Sequence, residues 1–509
     1  MAIGRTRSIA LLGLEGAVVE VEADLSNGLP SLTIIGLPDT ALGESRHRVR
    51  AAAVNAGCPL SGRKLTINLS PAELPKHGSG FDLAIALASL AAAGDVSSSS
   101  VESVLHVGEL GLDGRLRPTA GILPAILAAE RAGLRTVMVP VGNAEEAGLV
   151  PGVKVVAVSS LREAAIWHGA DFQPIPCEPV RVAESQTMQA PTGDLADVIG
   201  NDDAVESLIF AAAGGHHLFL LGPPGCGKTM LASRLPSLLP DLDDDAALEL
   251  TSVASLGGES VGATLIRRPP FEAPHHTASA AAIIGGGSVI RPGAVTRASH
   301  GVLFLDEAPE FSAHILDVLR QPLETGEISI HRARAKAVFP ARFQLVLAAN
   351  PCPCGQYGAT DLDCTCPPAA RRRYLARVSG PLADRIDIQL TLRRVRHAHL
   401  GSEARAYTTS RAARDRVRRA RVAAESRWAS TPWSRNAEVP GSWLRTGPAA
   451  LDRSSTRSLD RALECGAMTM RGYDRVLRLA WTIADVDGAE RPTAEHIGRA
   501  LYLRRGISG

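Results

Sequence analysis

The stretch LFLLGPPGCGKT, from Leu218 to Thr229, joins an apolar run to a glycine-rich loop, and a helical pattern follows from Met230 to Leu239. The loop fits the spacing G-x-x-x-x-G-K-[ST], which predicts a strand, a phosphate loop and a helix in that order. Glycines let backbone N–H groups close around a phosphate, Lys228 neutralises its charge, and the Thr229 hydroxyl binds Mg²⁺. The alternative is a chance glycine turn. The predicted ATP-binding residues are Gly222, Pro223, Pro224, Gly225, Cys226, Gly227, Lys228 and Thr229.

A second apolar run, from Gly301 to Leu305, ends in the two carboxylates Asp306 and Glu307. A buried strand that delivers carboxylates at its carboxyl end suits the ligand sites of open α/β sheets. We expect Asp306 to bind Mg²⁺ and Glu307 to orient and polarise the attacking water. An acidic pair alone is weak evidence, and this pair gains its weight from following a phosphate loop.

A third apolar run, Phe343–Ala348, is followed by Asn350. An amide at the end of a neighbouring strand would position the attacking water. The alternative is an asparagine that begins a turn before Pro351.

The order of these motifs, followed by Ser379-Gly-Pro-Leu-Ala-Asp-Arg-Ile-Asp387, resembles an AAA+ ATPase of the magnesium-chelatase-like clade. Within that clade the chain resembles the ComM/YifB family, whose competence protein is a hexameric DNA branch-migration helicase. The resemblance covers essentially the whole chain. It implies an N-terminal Lon-protease-like α+β domain, a central P-loop α/β domain with a parallel sheet, and a C-terminal helical lid.

Composition and pattern place the expected domain boundaries. Residues 1–170 alternate strand and helix patterns, and a segment with four prolines and no periodicity follows. The expected domains are a Lon-protease-like domain at 1–170, a linker at 171–193, the AAA+ domain at 194–394 and a helical lid at 395–509.

The same resemblance assigns two arginines. Arg385 corresponds to the arginine finger, which reaches a neighbouring subunit's γ-phosphate and makes hydrolysis depend on assembly. The alternative is a salt bridge to Asp384 or Asp387. Arg471 resembles the lid arginine that responds to the nucleotide state, and the alternative is an ordinary exposed arginine at a helix start.

Two segments of the AAA+ domain are candidates for DNA contact. The first contains His275 and His276 before a glycine-rich stretch, and it resembles the insert that this clade projects toward a central pore. The second carries Arg332, Arg334 and Lys336 at a spacing of two, so in an extended strand these bases share one face. Such a ladder would grip phosphates without reading sequence, although the pattern also suits a solvated edge strand.

Four of the eight cysteines lie between residues 352 and 366. Four thiolates on a short loop suit a tetrahedral Zn²⁺ ion, which would be structural because it leaves no open coordination position. The alternative is four reduced cysteines. The predicted ligands are Cys352, Cys354, Cys364 and Cys366.

The N-terminal region lacks the proteolytic parts of the Lon pattern that it resembles. Gly80 occupies the nucleophile position, Ser79 lies one residue away, and Leu123 stands where the lysine base belongs. A serine without a nearby base is a weak nucleophile, so we expect no peptidase activity.

The whole chain has 509 residues, 45% hydrophobic and 21% charged, with a net charge of +1. These values exclude a disordered chain and a uniformly basic protein, and the lack of a long apolar run predicts a soluble cytoplasmic protein. We expect an ATP- and Mg²⁺-dependent hexameric translocase that acts on single-stranded and branched DNA. The alternatives are a chelatase-like or remodelling motor with a protein partner, and a nucleotide-gated protease.

Overall fold

The computed structural model describes residues 3–36, 40–76, 78–180, 193–287, 290–332, 335–358, 364–394 and 408–505. Arg334 and most of the expected linker lie outside these ranges. Residues 171–180 at its start have no regular secondary structure.

The N-terminal part forms a mixed sheet in the order β3-β4-β2-β1-β5-β8-β9. Its strands are β1 (Gly4–Leu12), β2 (Glu15–Ser26), β3 (Ser31–Ile35), β4 (Lys64–Ser70), β5 (Leu105–His106), β6 (Glu109–Leu110), β7 (Leu116–Arg117), β8 (Thr136–Pro140) and β9 (Lys154–Val158). Its helices are α1 (Thr40–Asn55), α2 (Asp82–Ala93), α3 (Ser98–Glu102), α4 (Ile122–Arg131), α5 (Ala144–Ala147) and α6 (Leu161–Trp167). Helix α2 is apolar on all sides and lies in the core of this part.

The central part is built on a parallel sheet in the order β11-β14-β17-β10-β18. Its strands are β10 (Leu218–Leu221), β11 (Phe271–Glu272), β12 (Gly285–Gly286), β13 (Arg291–Pro292), β14 (Val302–Leu305), β15 (Glu327–Arg332), β16 (Ala335–Pro340), β17 (Gln344–Ala349) and β18 (Ile388–Thr391). Its helices are α7 (Asp202–Gly214), α8 (Lys228–Leu238), α9 (Asp244–Gly257), α10 (Ala280–Ile284), α11 (Ala294–Arg297), α12 (Ala313–Val318), α13 (Pro322–Thr325), α14 (Pro368–Leu375) and α15 (Gly380–Ala383).

The C-terminal part is helical and covers one face of this parallel sheet. Its helices are α16 (Ser410–Trp428), α17 (Gly441–Thr446), α18 (Arg453–Glu464), α19 (Met470–Asp487) and α20 (Ala494–Arg505). Alternate strand residues face opposite sides of a sheet. Leu220 and Phe304 therefore share a core with Trp428 and Trp481 of the lid, whereas Leu303 belongs to the core on the other face.

The N-terminal and central parts contact each other through α4 and α9. The backbone N–H of Leu123 donates to Ser255 Oγ at 3.3 Å, and the N–H of Gly121 donates to the Ser255 carbonyl at 2.9 Å. A second contact joins Gly13, in the turn between β1 and β2, to strand β16. The N-terminal part therefore touches both the β15–β16 hairpin and the helix that precedes the insert.

The structure confirms the predicted fold class, an α/β multidomain chain with a helical C-terminal part. Within the described ranges, no helix is both long and apolar enough to cross a membrane.

Candidate nucleotide site

The phosphate loop has the conformation that its sequence predicts. It follows β10, and Gly227 caps helix α8 with φ +93°, in the left-handed region that favours glycine. No heavy atom lies within 4 Å of the Cβ position at Gly225 or Gly227. The loop is therefore open at the start of a helix, where backbone N–H groups bind anions.

Lys228 lies at the centre of this site and is only 8% exposed. Its Nζ donates to the carbonyls of Gly222 at 2.6 Å and Pro223 at 3.1 Å, and to Asn350 Oδ1 at 3.0 Å. Burial lowers its pKa, against the opposing charges of Cys226, Asp306 and Glu307. The ammonium is thus held at the loop by three acceptors that a phosphate group can replace.

The oxygen ligands expected for Mg²⁺ are adjacent. Thr229 Oγ1, in the first turn of α8, donates to Asp306 Oδ2, directly after β14, at 2.8 Å. A hydroxyl and a carboxylate are the hard oxygen donors that Mg²⁺ prefers, so this donor set fits the ion. Bound there, Mg²⁺ would neutralise phosphate charge, while Thr229 and Asp306 would hold it beside Lys228.

Glu307 has a strained backbone, with φ +50° in the left-handed region. Such strain is uncommon for a residue with a side chain and clusters at functional sites. Its own N–H donates to Asp306 Oδ1 at 2.9 Å, and its carboxylate is about half exposed. The two neighbouring acids therefore have different polar partners, and their division of roles stays a prediction.

His276 lies beside this carboxylate, with His276 Nδ1 3.5 Å from Glu307 Oε2. The sequence predicts a DNA contact for His276 and does not indicate that Glu307 lies beside it. Two chain segments meet here, since β11 pairs with β14 and places the residues after each strand together. His275 stacks on His276 with ring centroids 4.2 Å apart, and it is exposed.

Arg385 is folded back into its own chain and is 5% exposed. It forms an ion pair with Glu324, and its Nη1 donates to the Pro381 carbonyl at 2.6 Å. The alternative pairing with its chain neighbours is wrong, because Arg475 pairs with Asp387 at 2.6 Å and Arg504 lies 3.9 Å from Asp384. The role of Arg385 toward a second subunit stays a prediction, and it requires the Glu324 pair to open.

Arg471 is exposed in the first turn of α19. The same helix carries a partly buried arginine, Arg475, which sequence reasoning missed. Although burial opposes ionisation, the guanidinium of Arg475 holds the pKa of Asp387 well below its ordinary value. Arg475 therefore fixes the lid helix to the start of β18, whereas the nucleotide-sensing role of Arg471 stays a prediction.

The four cysteines converge. Their sulfur atoms all lie within 4.8 Å of one another. The distances from Cys352 Sγ are 3.3 Å to Cys354 Sγ and 3.6 Å to Cys364 Sγ. Four sulfurs at about 2.3 Å from a tetrahedral zinc ion lie about 3.8 Å apart, so the cluster fits zinc after a small expansion.

The register of the β15–β16 hairpin differs from what the sequence prediction assumed. Its register pairs Arg332 with Ala335 and His331 with Lys336, so the turn falls between Arg332 and Lys336. Arg332 and Lys336 therefore lie on different strands, so the expectation that these two bases share one face of an extended strand is wrong, while Arg334 lies outside the described residues. A spacing of two describes one face only where the chain continues straight. Lys336 is exposed on β16.

In the N-terminal segment that resembles the Lon sequence, the serine and a nearby lysine have separate hydrogen-bond partners. The Ser79 hydroxyl donates to Glu109, and the Lys76 ammonium donates to the carbonyls of Pro71 and Leu74. Leu123 is fully buried in α4. Ser79 is thus paired with a carboxylate rather than with an amine base.

The fold and the site together define a P-loop ATPase of the AAA+ class. Three family profiles match successive parts of the chain: magnesium chelatase subunit ChlI at residues 194–400, subunit ChlI of Mg-chelatase at 21–143, and the ChlI C-terminal region at 407–504. These matches follow the N-terminal, central and helical parts described above.

Full-length relatives narrow this class. The chain is 48% identical over 509 residues to an uncharacterised protein of Mycobacterium tuberculosis, covering 99% of each. It is 39% identical over 505 residues to competence protein ComM of Haemophilus influenzae, covering 99% of this chain and 98% of the relative. It is 38% identical over 508 residues to protein YifB of Escherichia coli, covering 99% and 97%. The chain belongs to the ComM/YifB family of magnesium-chelatase-like AAA+ proteins.

A shorter similarity concerns the N-terminal part. Lon protease of Mycolicibacterium smegmatis is 33% identical over 156 residues, which cover 29% of this chain and 20% of that protein. The Lon-protease-like description of this part is therefore a likeness of fold.

Proposed function

We propose that this protein is a ring-forming, ATP-driven DNA translocase that promotes branch migration of recombination intermediates, as in natural transformation. The coarser class, a magnesium-chelatase-like AAA+ ATPase, follows from the family. The DNA activity is supported by full-length similarity to a protein named for competence. The expected location is the cytoplasm and the expected assembly is a hexamer.

The proposal rests on the position in the chain of the β15–β16 hairpin, which contains Arg332 and Lys336. Strands β15 and β16 lie between β14, which ends just before Asp306, and β17, which ends just before Asn350. We expect a load on the hairpin to reach both strands that present hydrolytic residues. The insert hairpin β12–β13 also touches it, since the Cβ position of Gly285 lies 3.0 Å from Ile330 Cδ1.

In the proposed cycle, Lys228 and the loop amides bind the phosphates of ATP, and Thr229 and Asp306 hold the magnesium ion. Glu307 and Asn350 position the attacking water. Arg385 of a neighbouring subunit stabilises the charge that develops on the transferred phosphoryl group. Arg471 couples the nucleotide state to the lid. Hydrolysis at each boundary would then move the hairpins that hold DNA.

The proposed domain limits are 1–170, 194–394 and 395–509, with a linker at 171–193. We assign no peptidase activity to the first domain, because Leu123 stands where the Lon pattern has its lysine base and Ser79 donates to Glu109 instead of to an amine. Its contacts with α9 and β16 support a role in shaping the ring.

The test replaces Arg332, Arg334 and Lys336 together with alanine. We expect weaker binding of single-stranded and branched DNA and loss of DNA-stimulated hydrolysis, while hydrolysis without DNA continues. Each removed ion pair with a phosphate should flatten the salt dependence of affinity by a slope of about 0.7 to 0.9, equally for all sequences. A matched control replaces the exposed Arg453, Arg457 and Arg461 of α18, which changes the net charge equally.

An unchanged DNA affinity and salt slope in the hairpin variant would place DNA elsewhere on the protein. The second candidate, a chelatase-like motor that acts on a protein partner, is favoured by the description of all three matching profiles. Wild-type ATPase activity that does not respond to single-stranded or branched DNA would move this candidate to first place.

A further inference from the structure

The loop that carries the cysteines lies directly against the phosphate loop. Gly355 is buried, has φ +79°, and its Cβ position lies 2.8 Å from Pro224 Cγ and 2.9 Å from Pro224 Cδ. The same position lies 3.9 Å from the side chain of Asn350, which accepts from Lys228. The cysteine loop is therefore an outer wall of the candidate nucleotide site.

Few residues of this wall are buried, so burial contributes little to its stability. Between residues 353 and 358, Gly355 alone is buried, while Cys354, Tyr357 and Gly358 are exposed. A metal ion can hold a short segment without its own apolar core in one conformation. The four sulfurs, all within 4.8 Å of one another, can supply that metal site.

The wall is tied to two further elements of the site. Gln356 Oε1 accepts from Arg394 Nη2 at 3.4 Å, beyond the end of β18. The Arg371 guanidinium lies 3.8 Å from the centre of the Tyr357 ring and links the loop to α14. On the same helix, burial raises the pKa of Tyr374 to about 12, with help from the charges of Glu310 and Glu307. The helix thus lies near both the cysteine loop and the acidic segment after β14, where Arg377 pairs with Glu310 at 3.1 Å.

We propose that a zinc ion on Cys352, Cys354, Cys364 and Cys366 controls the affinity of the phosphate loop for nucleotide. With zinc bound, residues 352–358 stay against Pro224 and keep Asn350 in line with Lys228. Without zinc, this wall loosens and the loop is no longer preorganised, so ATP binds more weakly. The inference deepens the proposed function, because it rests on ATP binding at Lys228, and it requires no contact with DNA.

The experiment measures zinc content and ATP affinity of the full chain in excess magnesium. We expect about one zinc ion per chain in the wild type, and ATP affinity about 10- to 100-fold weaker after zinc is removed with a zinc-selective chelator. Added ZnCl₂ should restore the affinity. Cys354→Ser with Cys364→Ser should show the weakened affinity permanently, whereas Cys465→Ser, at an exposed cysteine of the lid, should match the wild type.

A second variant tests the contact between Gly355 and Pro224 separately from zinc binding. Gly355→Ala keeps all four thiolates but directs a methyl group at Pro224, so we expect full zinc content with weakened ATP affinity. Circular dichroism identifies a variant that fails to fold, and in that case the chelated and reloaded wild type decides. Unchanged ATP affinity in zinc-free wild type, or a wild type that contains no zinc, would overturn the inference while leaving the ATPase proposal intact. A zinc-loaded wild type that binds no ATP would instead remove the proposed function.

Discussion

Two buried lysines of this protein lie beside loops that contain glycine or proline, yet their surroundings differ. Lys76, near the start of α2, is fully buried and donates to the carbonyls of Pro71 and Leu74. Lys228, the first residue of α8, donates to two carbonyls and also to the side-chain amide of Asn350. Burial lowers the pKa of both.

The difference lies in what surrounds each ammonium group. Open glycine positions and the carboxylates of Asp306 and Glu307 surround Lys228, so a phosphate and a cation can enter. Lys76 donates to backbone carbonyls of its own loop, so it holds that loop together. A buried lysine therefore becomes a binding group when its acceptors can be exchanged for a ligand.

The largest expected effect separates these lysines. Lys228→Ala should weaken ATP binding and hydrolysis by about 100-fold or more, because the phosphates lose their buried positive charge. Lys76→Met should leave ATP affinity unchanged but lower the free energy of unfolding by about 1–3 kcal/mol, since the carbonyls of Pro71 and Leu74 lose their charged donor. ATP titration and chemical denaturation measure the two effects. Near-normal turnover of Lys228→Ala would contradict the ATPase assignment.

The next effect tests the carboxylates around Lys228. Glu307→Gln should bind ATP normally, because Lys228, Thr229 and Asp306 are unchanged, but hydrolyse it about 100-fold more slowly or worse. Glu310→Gln is the matched control, since Glu310 pairs with Arg377 at 3.1 Å and should tolerate the change with little loss of rate. Single-turnover hydrolysis with measured binding separates the steps. Loss of ATP binding in Glu307→Gln would show a different role.

A smaller effect concerns a closed polar network of the N-terminal part. Thr6 Oγ1, His106, His168 and Ser100 Oγ form a hydrogen-bonded chain with distances of 2.6, 2.9 and 2.8 Å. Burial lowers the pKa of His168 from 6.5 to about 4, and that of His106 lies well below its ordinary value.

The unfolded chain therefore binds protons that the folded chain does not as pH falls through 6.5 toward 4. The free energy of unfolding should fall over that window by about 3 kcal/mol from His168 alone. Comparing denaturation of the wild type and His168→Gln across this range isolates the contribution. Equal pH dependence of the two proteins would mean that His168 protonates freely when folded.

The smallest effect concerns the histidine beside Glu307. His276→Ala should lower kcat about tenfold at unchanged KM, because the Glu307 carboxylate loses a positioning partner, and His276→Gln should recover part of the rate. His275→Ala is the control, because this neighbouring ring is exposed and Glu307 is paired with His276. A loss of DNA affinity with normal kcat would instead return His276 to the DNA-contact role expected from sequence.

The sequence predicted those parts of the site that lie on continuous stretches of chain. The run Leu218–Leu221 is β10 as expected, and the helix predicted from Met230 begins two residues earlier, at Lys228. Strand β17 is shifted by one residue from the predicted Phe343–Ala348. These features depend on local periodicity and on glycine, which act within a few residues.

The hairpin shows why a local pattern fails at a turn. Alternating bases from Arg332 to Lys336 have the same sequence whether the chain runs straight or reverses, and the register reverses it between them. The arginines from α14 to α16 are likewise ambiguous in the sequence. Several pair with carboxylates of the same chain, as in the pairs of Arg377 with Glu310 and Arg416 with Glu206.

The sequence by itself determined the phosphate loop and the carboxylates after β14, because each is a short motif attached to an apolar strand. The order of the motifs, through the family that it resembles, predicted the fold class. The tertiary structure alone decided that His276 meets Glu307, that Arg385 pairs with Glu324, and that Gly355 lies on Pro224. Each of these contacts joins residues that lie far apart in the chain. The distance between the two residues of each pair depends on strand order and packing, and the spacing of residues along the chain does not encode either.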